Sequence, residues 1–184
     1  MSLHVVSRSR AVSRPAWLLL GGALAMVAAT SAGAQGTPPE KVEFAGGANS
    51  PISSLVALPA NAAVVWTSGT VPGFADRSAP AGARARYGDT KTQAISVLQR
   101  IEALLKERGL GMKDVVYLRA YLVPDKEKGG TIDTQGWNEA YGQFFNTAAN
   151  PTKPARSTVG VSALVNADWL IEIEAFAAYP APPR

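Results

Sequence analysis

The chain has 184 residues, with 18 Lys and Arg against 14 Asp and Glu for a formal charge of +4, no cysteine, and one histidine, His4. A domain of this length buries enough core to fold without cross-links, and a chain without cysteine has to. With His4 confined to the N-terminal leader described next, the rest of the chain cannot carry Ser-His or Cys-His catalysis, a usual zinc site or a histidine proton shuttle; Asp, Glu, Lys, Tyr, backbone and water remain for acid–base work.

Residues 1–34 read as a signal peptide. Arg8, Arg10 and Arg14 form a basic start, Trp17 to Ala29 an apolar stretch, and Ala32-Gly33-Ala34 a small-residue cleavage site before Gln35. The apolar stretch is shorter than the ~20 residues a membrane anchor needs. The leader holds three arginines and no acid, so its removal takes the formal charge from +4 to +1. What remains has no cluster of basic and aromatic residues of the kind that forms a nucleic-acid groove. The expected setting is the periplasm or the exterior, with no nucleic-acid partner and no membrane attachment after cleavage.

Residues 35–50 read as a flexible mature N-terminus with a short strand at Lys41–Ala45. The segments Leu55–Leu58 and Ala63–Thr67 are expected to pair as a hairpin around Pro59-Ala60-Asn61. Ser68-Gly69 reads by pattern as a turn whose serine bonds its own backbone. Gly73 to Tyr87 has no periodicity and is long for a loop, which points to function or mobility.

Asp89 or Thr90 caps a helix whose apolar positions Ala94, Ile95, Leu98, Ile101, Leu104 and Leu105 recur at helical spacing, with Gly109 as its stop. Val115 to Val123 is a strand closed by Pro124, and a charged loop, Asp125 to Gly130, follows. A second helix spans Thr134 to Asn146. Its stripe of Trp137, Ala140, Tyr141, Phe144 and Phe145 reads as core, and Asn138 by default as surface.

Pro154–Val161 and Ile171–Phe176 alternate with a period of two and are expected to pair with each other. Val159 and Val161 are expected in the core, with Arg156, Thr158 and Gly160 on the opposite face; Ile171 and Ile173 oppose Glu172 and Glu174. A guanidinium and carboxylates would then meet across the two strands. On residue types alone this is a solvated ion pair worth at most about 1 kcal/mol. The element order, strands, helix, strand, helix, two strands, gives an α+β domain with two helices on one face of a mixed sheet.

The motifs carry more than the pattern does. "PARSTVGV" from Pro154, Leu164, "IEIEAFA" from Ile171, "VVWTSGTVP" from Val64, "GLGMKDVVYLRAYLVP" from Gly109 and "WNEAYGQFF" from Trp137 together resemble the RidA (YjgF) family, whose members hydrolyse enamines and imines of small 2-oxo acids. The resemblance implies a RidA-like domain over residues 51–184, a chorismate-mutase-like fold, a homotrimer with clefts between subunits, and no cofactor. It implies that Arg156 grips the substrate carboxylate, that Ser68, Asn138 and Thr158 contact the substrate, and that Glu172 assists the attacking water, with Glu174 two residues away as the alternative. It further implies a small 2-imino or enamine acid of the 2-iminopropanoate or 2-iminobutanoate type as substrate. Where the family has Gly-Pro-Tyr, this chain has Ser50-Pro51-Ile52, and the family's cysteine two residues after the arginine is Thr158. The alternatives are a non-catalytic trimeric module that binds small carboxylates or acts as a chaperone, and, with less support from these residues, an endoribonuclease.

Overall fold

The structure, a computed structural model, describes residues 36–180, so the expected leader, residues 1–34, lies outside the described residues. Among them the elements are β1 (Glu43–Ala45), β2 (Leu55–Ala57), β3 (Val64–Trp66), α1 (Thr90–Lys106), β4 (Val115–Leu122), α2 (Thr134–Phe144), β5 (Ala155–Gly160) and β6 (Ile171–Ala178). The sheet forms around β6, where Ile171, Ile173, Ala175 and Ala177 recur at every second position with no exposure at all. Leu118, Ala120 and Leu122 of β4 join them, and Val97, Leu98, Ile101, Trp137, Tyr141 and Phe145 cover them from α1 and α2. Burial of each large apolar side chain contributes roughly 1.5–3 kcal/mol before entropy is counted. The result is the expected α+β architecture, with both helices on one face of a mixed sheet.

Strand order in the main sheet is β3-β6-β4-β5, and β1-β2 form a separate two-stranded ribbon. The expected hairpin is therefore absent. β2 pairs antiparallel with β1, and β3 pairs antiparallel with β6. The connection from Leu58 to Ala63 lacks the two-residue Gly or Asn turn that would fold β3 back on β2, and the long edge of β6 offers β3 a better partner. Within the segment 35–50 read as flexible, Glu43–Ala45 is held as β1.

The expected pairing of the last two strands does not form either, because β4 lies between them. β4, α2 and β5 make a strand–helix–strand unit, which places β5 parallel to β4 on one edge. β6 then takes the other edge of β4, antiparallel. The faces of β5 are also the reverse of expectation. Arg156, Thr158 and Gly160 stand in register with Leu118, Ala120 and Leu122, under α2. Val159 is on the open side and 43% exposed.

The uncovered face of the sheet carries Trp66, Tyr117, Arg119, Tyr121, Glu172, Glu174 and Phe176. Trp66 is 70% exposed and packs on Phe176 at 5.1 Å between ring centroids, with Tyr117 on the other side of Phe176 at 5.3 Å. The loop expected to be functional or mobile is pinned at several points. Gly73 N donates to Ser96 Oγ (3.0 Å), Gly82 N to Asp168 Oδ2 (3.0 Å), and Arg84 reaches Asp125, which is 1% exposed, and Glu127.

Both helices begin on an aspartate. Asp89 accepts from Thr92 N at 2.8 Å and Asp133 from Gly136 N at 2.9 Å. Burial raises the Asp133 carboxyl, but the Lys128 ammonium at 2.7 Å and the Gly136 N–H outweigh it and hold it below its ordinary value. Burial likewise raises Asp89, and the Thr92 backbone and hydroxyl outweigh that. A carboxyl depressed in the folded state stabilises fully above its unfolded value, 3.8 here, and that contribution is lost as pH falls through the folded value. The thermal midpoint should therefore fall as pH drops below about 4. The Asp133→Asn variant, less stable at neutral pH, should show a flatter acid limb; equal limbs in a thermal melt series would remove Asp133 from the acid response.

Candidate functional site

Arg156 projects from β5 beneath α2 and is held between aromatic rings. Its guanidinium carbon lies 4.6 Å from the Tyr141 ring centroid and 5.2 Å from that of Trp137. Nη2 donates to Asn138 Oδ1 at 2.8 Å. Nη1 is buried and has no hydrogen-bond partner among the described residues. Burial lowers the Arg156 pKa from its ordinary value, the Tyr141 phenol pulling the other way. A guanidinium remains charged regardless, so a desolvated donor is left without an acceptor.

The surroundings are built to hold that geometry. Burial pushes the Tyr141 phenol up to about 12, against the Arg156 charge, and its hydroxyl donates to Pro51 O at 3.0 Å. Ser53 in turn bridges to Ala155 and bonds Lys153 O at 2.6 Å. The stretch Ser50–Ser53, with Ile52 at the family's tyrosine position, is thus fastened beside Arg156. Trp137 Nε1 donates to Thr158 Oγ1 at 3.1 Å, so the Thr158 hydroxyl already has a donor. Arg156 and Asn138 are thus bonded to each other, with Thr158 two residues further along the same side of β5.

Ser68 and Glu172 form a second group elsewhere. Past β3 the chain stays against β6, with Thr67 N bonded to Ala175 O and Thr70 N to Ile173 O. Gly69 in this run lies against the Glu172 carboxylate so closely that a Cβ would collide with it. Glu172 makes no ion pair among the described residues, whereas Glu174 is engaged by Arg119 at 3.2 Å and by the Tyr121 hydroxyl at 3.4 Å. Of the two glutamates, Glu172 is the free one, and it adjoins Ser68-Gly69.

The two groups do not meet within one chain, which corrects the expected contact of Arg156 with the carboxylates. Arg156 is in register with Leu118 on the helix face, and Glu172 with Tyr121 on the open face. β4 also separates their strands. Sequence reasoning treated Trp137 and Tyr141 as core alone; they are core and also the platform under Arg156. The four-residue spacing of Trp137 and Tyr141, which puts both rings on one side of a helix, was the available signal. Gly69 was read only as a turn residue, and its close approach to Glu172 has no signature in the chain.

Fold and geometry define an α+β protein with a mixed sheet under two helices, Arg156 and Asn138 meeting at the β5 edge and Glu172 lying on the open face against Gly69. The family described as Endoribonuclease L-PSP matches residues 48–179, and the chain belongs to this family, the RidA/YjgF proteins. A RutC family protein of Pyrococcus horikoshii is 40% identical over 90 residues, which cover 49% of this chain and 63% of that relative. The aligned part is thus less than two thirds of the relative's own length. The Rid family protein YyfB of Yersinia pestis, of unknown function, superposes with a TM-score of 0.56 over 75% of this chain and 98% of that one, at 23% identity. TdcF of E. coli, solved with bound serine, does so with a TM-score of 0.50 over 74% and 94%, at 27% identity.

Proposed function

We propose that the chain is a cofactor-independent hydrolase of small 2-imino acids, of the 2-iminopropanoate or 2-iminobutanoate type, yielding the 2-oxo acid and ammonia. The observation that carries this reading is the Arg156 guanidinium, stacked on two rings, whose Nη2 donates to Asn138 while its Nη1 has no acceptor among the described residues: the missing partner is what a carboxylate supplies. TdcF, solved with serine, is a relative with a carboxylate-bearing ligand.

The working site is shared between copies of the chain, which assemble as a homotrimer. Two features support this. Each chain holds Arg156 and Glu172 on opposite faces, and the open face exposes an apolar concavity of about 330 Å³ lined by Val56, Val64, Trp66, Tyr117 and Phe176 among others. One copy supplies Arg156, Asn138 and Thr158; its neighbour supplies Ser68, Gly69 and Glu172.

In the reaction, water oxygen bonds to the imine carbon while Glu172 takes one water proton and passes it to the imine nitrogen, on which the C=N electron pair settles, giving the neutral carbinolamine. Glu172 then takes the carbinolamine hydroxyl proton and delivers it to the amine nitrogen as C=O forms and C–N breaks, releasing ammonia and the free carboxylate. Ser68 and Asn138 orient the nitrogen and the water. The leader read in residues 1–34 supports a periplasmic or secreted setting for this chemistry.

Hydrolysis of 2-iminopropanoate, generated from L-alanine by an amino-acid oxidase in the presence of semicarbazide, tests the reading. Active protein lowers the trapped adduct. No effect on trapping, with 2-oxobutanoate still raising the thermal midpoint, would replace the hydrolase by a carboxylate-binding module. Gly69→Ala supplies a sharper check, because its methyl group occupies the place of the Glu172 carboxylate. Its kcat should fall to that of Glu172→Gln, at least tenfold, while the thermal midpoint moves by a few degrees. Wild-type kcat in Gly69→Ala would take Glu172 out of the mechanism.

A further inference from the structure

Trp137 touches two residues of the site at once. Its ring centroid lies 5.2 Å from the Arg156 guanidinium carbon, and its Nε1 donates to Thr158 Oγ1 at 3.1 Å. The indole is 1% exposed, so its N–H needs this acceptor. Packing alone does not call for one, because a phenylalanine fills most of the same volume and carries no N–H. Four residues on, Tyr141 supplies the other ring under Arg156, its own hydroxyl donating to Pro51 O.

A threonine hydroxyl has one proton to give and two lone pairs to receive. At Thr158 the Trp137 N–H takes a lone pair, so the proton points away from Trp137, and it has no acceptor among the described residues. Thr158 is exposed, whereas Arg156 is half-buried. The two stand on the same side of β5, two residues and roughly 6.6 Å apart along the strand. Donors placed in this way are available to the two oxygens of one carboxylate.

We propose that Trp137 is a positioning residue for substrate binding: its N–H fixes the Thr158 hydroxyl as a donor to the carboxylate that Arg156 anchors. The inference rests on the reading of Arg156 as that anchor and on no step of the hydrolysis. It also gives Thr158, which stands where the family has cysteine, a side-chain task that a thiol, a weak donor and a weak acceptor, performs poorly.

Titration calorimetry with 2-oxobutanoate tests the assignment on four proteins, each the full chain: wild type, Trp137→Phe, Thr158→Val and the double variant. Thr158→Val should raise Kd at least fivefold and Trp137→Phe at least threefold. Added to Thr158→Val, Trp137→Phe should change Kd less than twofold. Thr158→Ser keeps the hydroxyl, so it should recover most of the affinity and lose it again on Trp137→Phe. A tryptophan that served only as packing, or only as a ring under Arg156, would weaken binding by the same factor with or without the hydroxyl, and that result overturns the proposal. Undiminished binding by Thr158→Val, or no binding of 2-oxobutanoate by wild type, overturns it as well. Hydrolysis of 2-iminopropanoate by the same proteins separates this assignment from the hydrolase reading. The KM increases should follow Kd and exceed any fall in kcat. Absence of turnover with the binding pattern intact would sink the hydrolase alone and leave Trp137 in its role.

Discussion

Arg156→Ala should lower kcat/KM for 2-iminopropanoate by at least a hundredfold, and Arg156→Lys should recover little of it. A fork of two charge-assisted bonds to a carboxylate, with loss of about 3 kcal/mol when removed, corresponds to that factor. Lysine supplies a point charge without the fork and does not lie flat on Tyr141 and Trp137. The same substitution should cost little stability. Arg156 is desolvated, its Nη1 has no partner, and only Asn138 and two rings offset the burial. Replacing such a charge by an apolar side chain is often neutral or stabilising, so Arg156→Met should melt within about 1 kcal/mol of wild type while inactive. A large loss of stability with partial activity would mean that Arg156 holds the fold together and leaves the carboxylate to another group.

Mixing two inactive variants should restore activity. Arg156→Ala lacks the anchor and Glu172→Gln lacks the base, and the two residues lie on opposite faces of their own sheet. If each site takes Arg156 from one copy and Glu172 from the next, every mixed ring of three contains one interface with both natural residues. Random assembly from equal amounts then returns about a quarter of wild-type turnover, because three rings in four are mixed and one site in three is whole. The measurement is imine hydrolysis after joint refolding or coexpression, against the same proteins mixed once assembled. No gain over the separate variants would place the complete site within one chain and dismiss the shared cleft.

What the chain disclosed before its structure was known depends on how local each signal is. The alternation in β6 and β4 and the apolar spacing of α1 are local, so these elements stand where the pattern put them. Asp89 and the α2 stripe were readable for the same reason. Partner choice is not local. β5 and β6 are neighbours in sequence and both alternate, yet the helix between β4 and β5 requires a parallel pair and puts β4 in the middle. The faces of β5 misled because Val159 and Val161 are the apolar residues there, while the side toward α2 holds the half-buried Arg156 and the exposed Thr158, which find partners in α2. Arg156, Asn138 and Thr158 were legible through family motifs, and the structure groups them. The separation of Glu172 from Arg156, and the need for Gly69 to lack a side chain, are matters of three-dimensional approach with no sequence period.

Trp66 also makes the protein its own optical gauge. Of the tryptophans among the described residues, Trp137 is 1% exposed, Trp169 is half-buried and Trp66 is 70% exposed on the open face, so Trp66 is the indole whose environment association would change most. Emission from Trp137 follows the integrity of the core. Emission from Trp66 follows whatever covers the sheet, and its shift to shorter wavelength with rising protein concentration would trace association without a label.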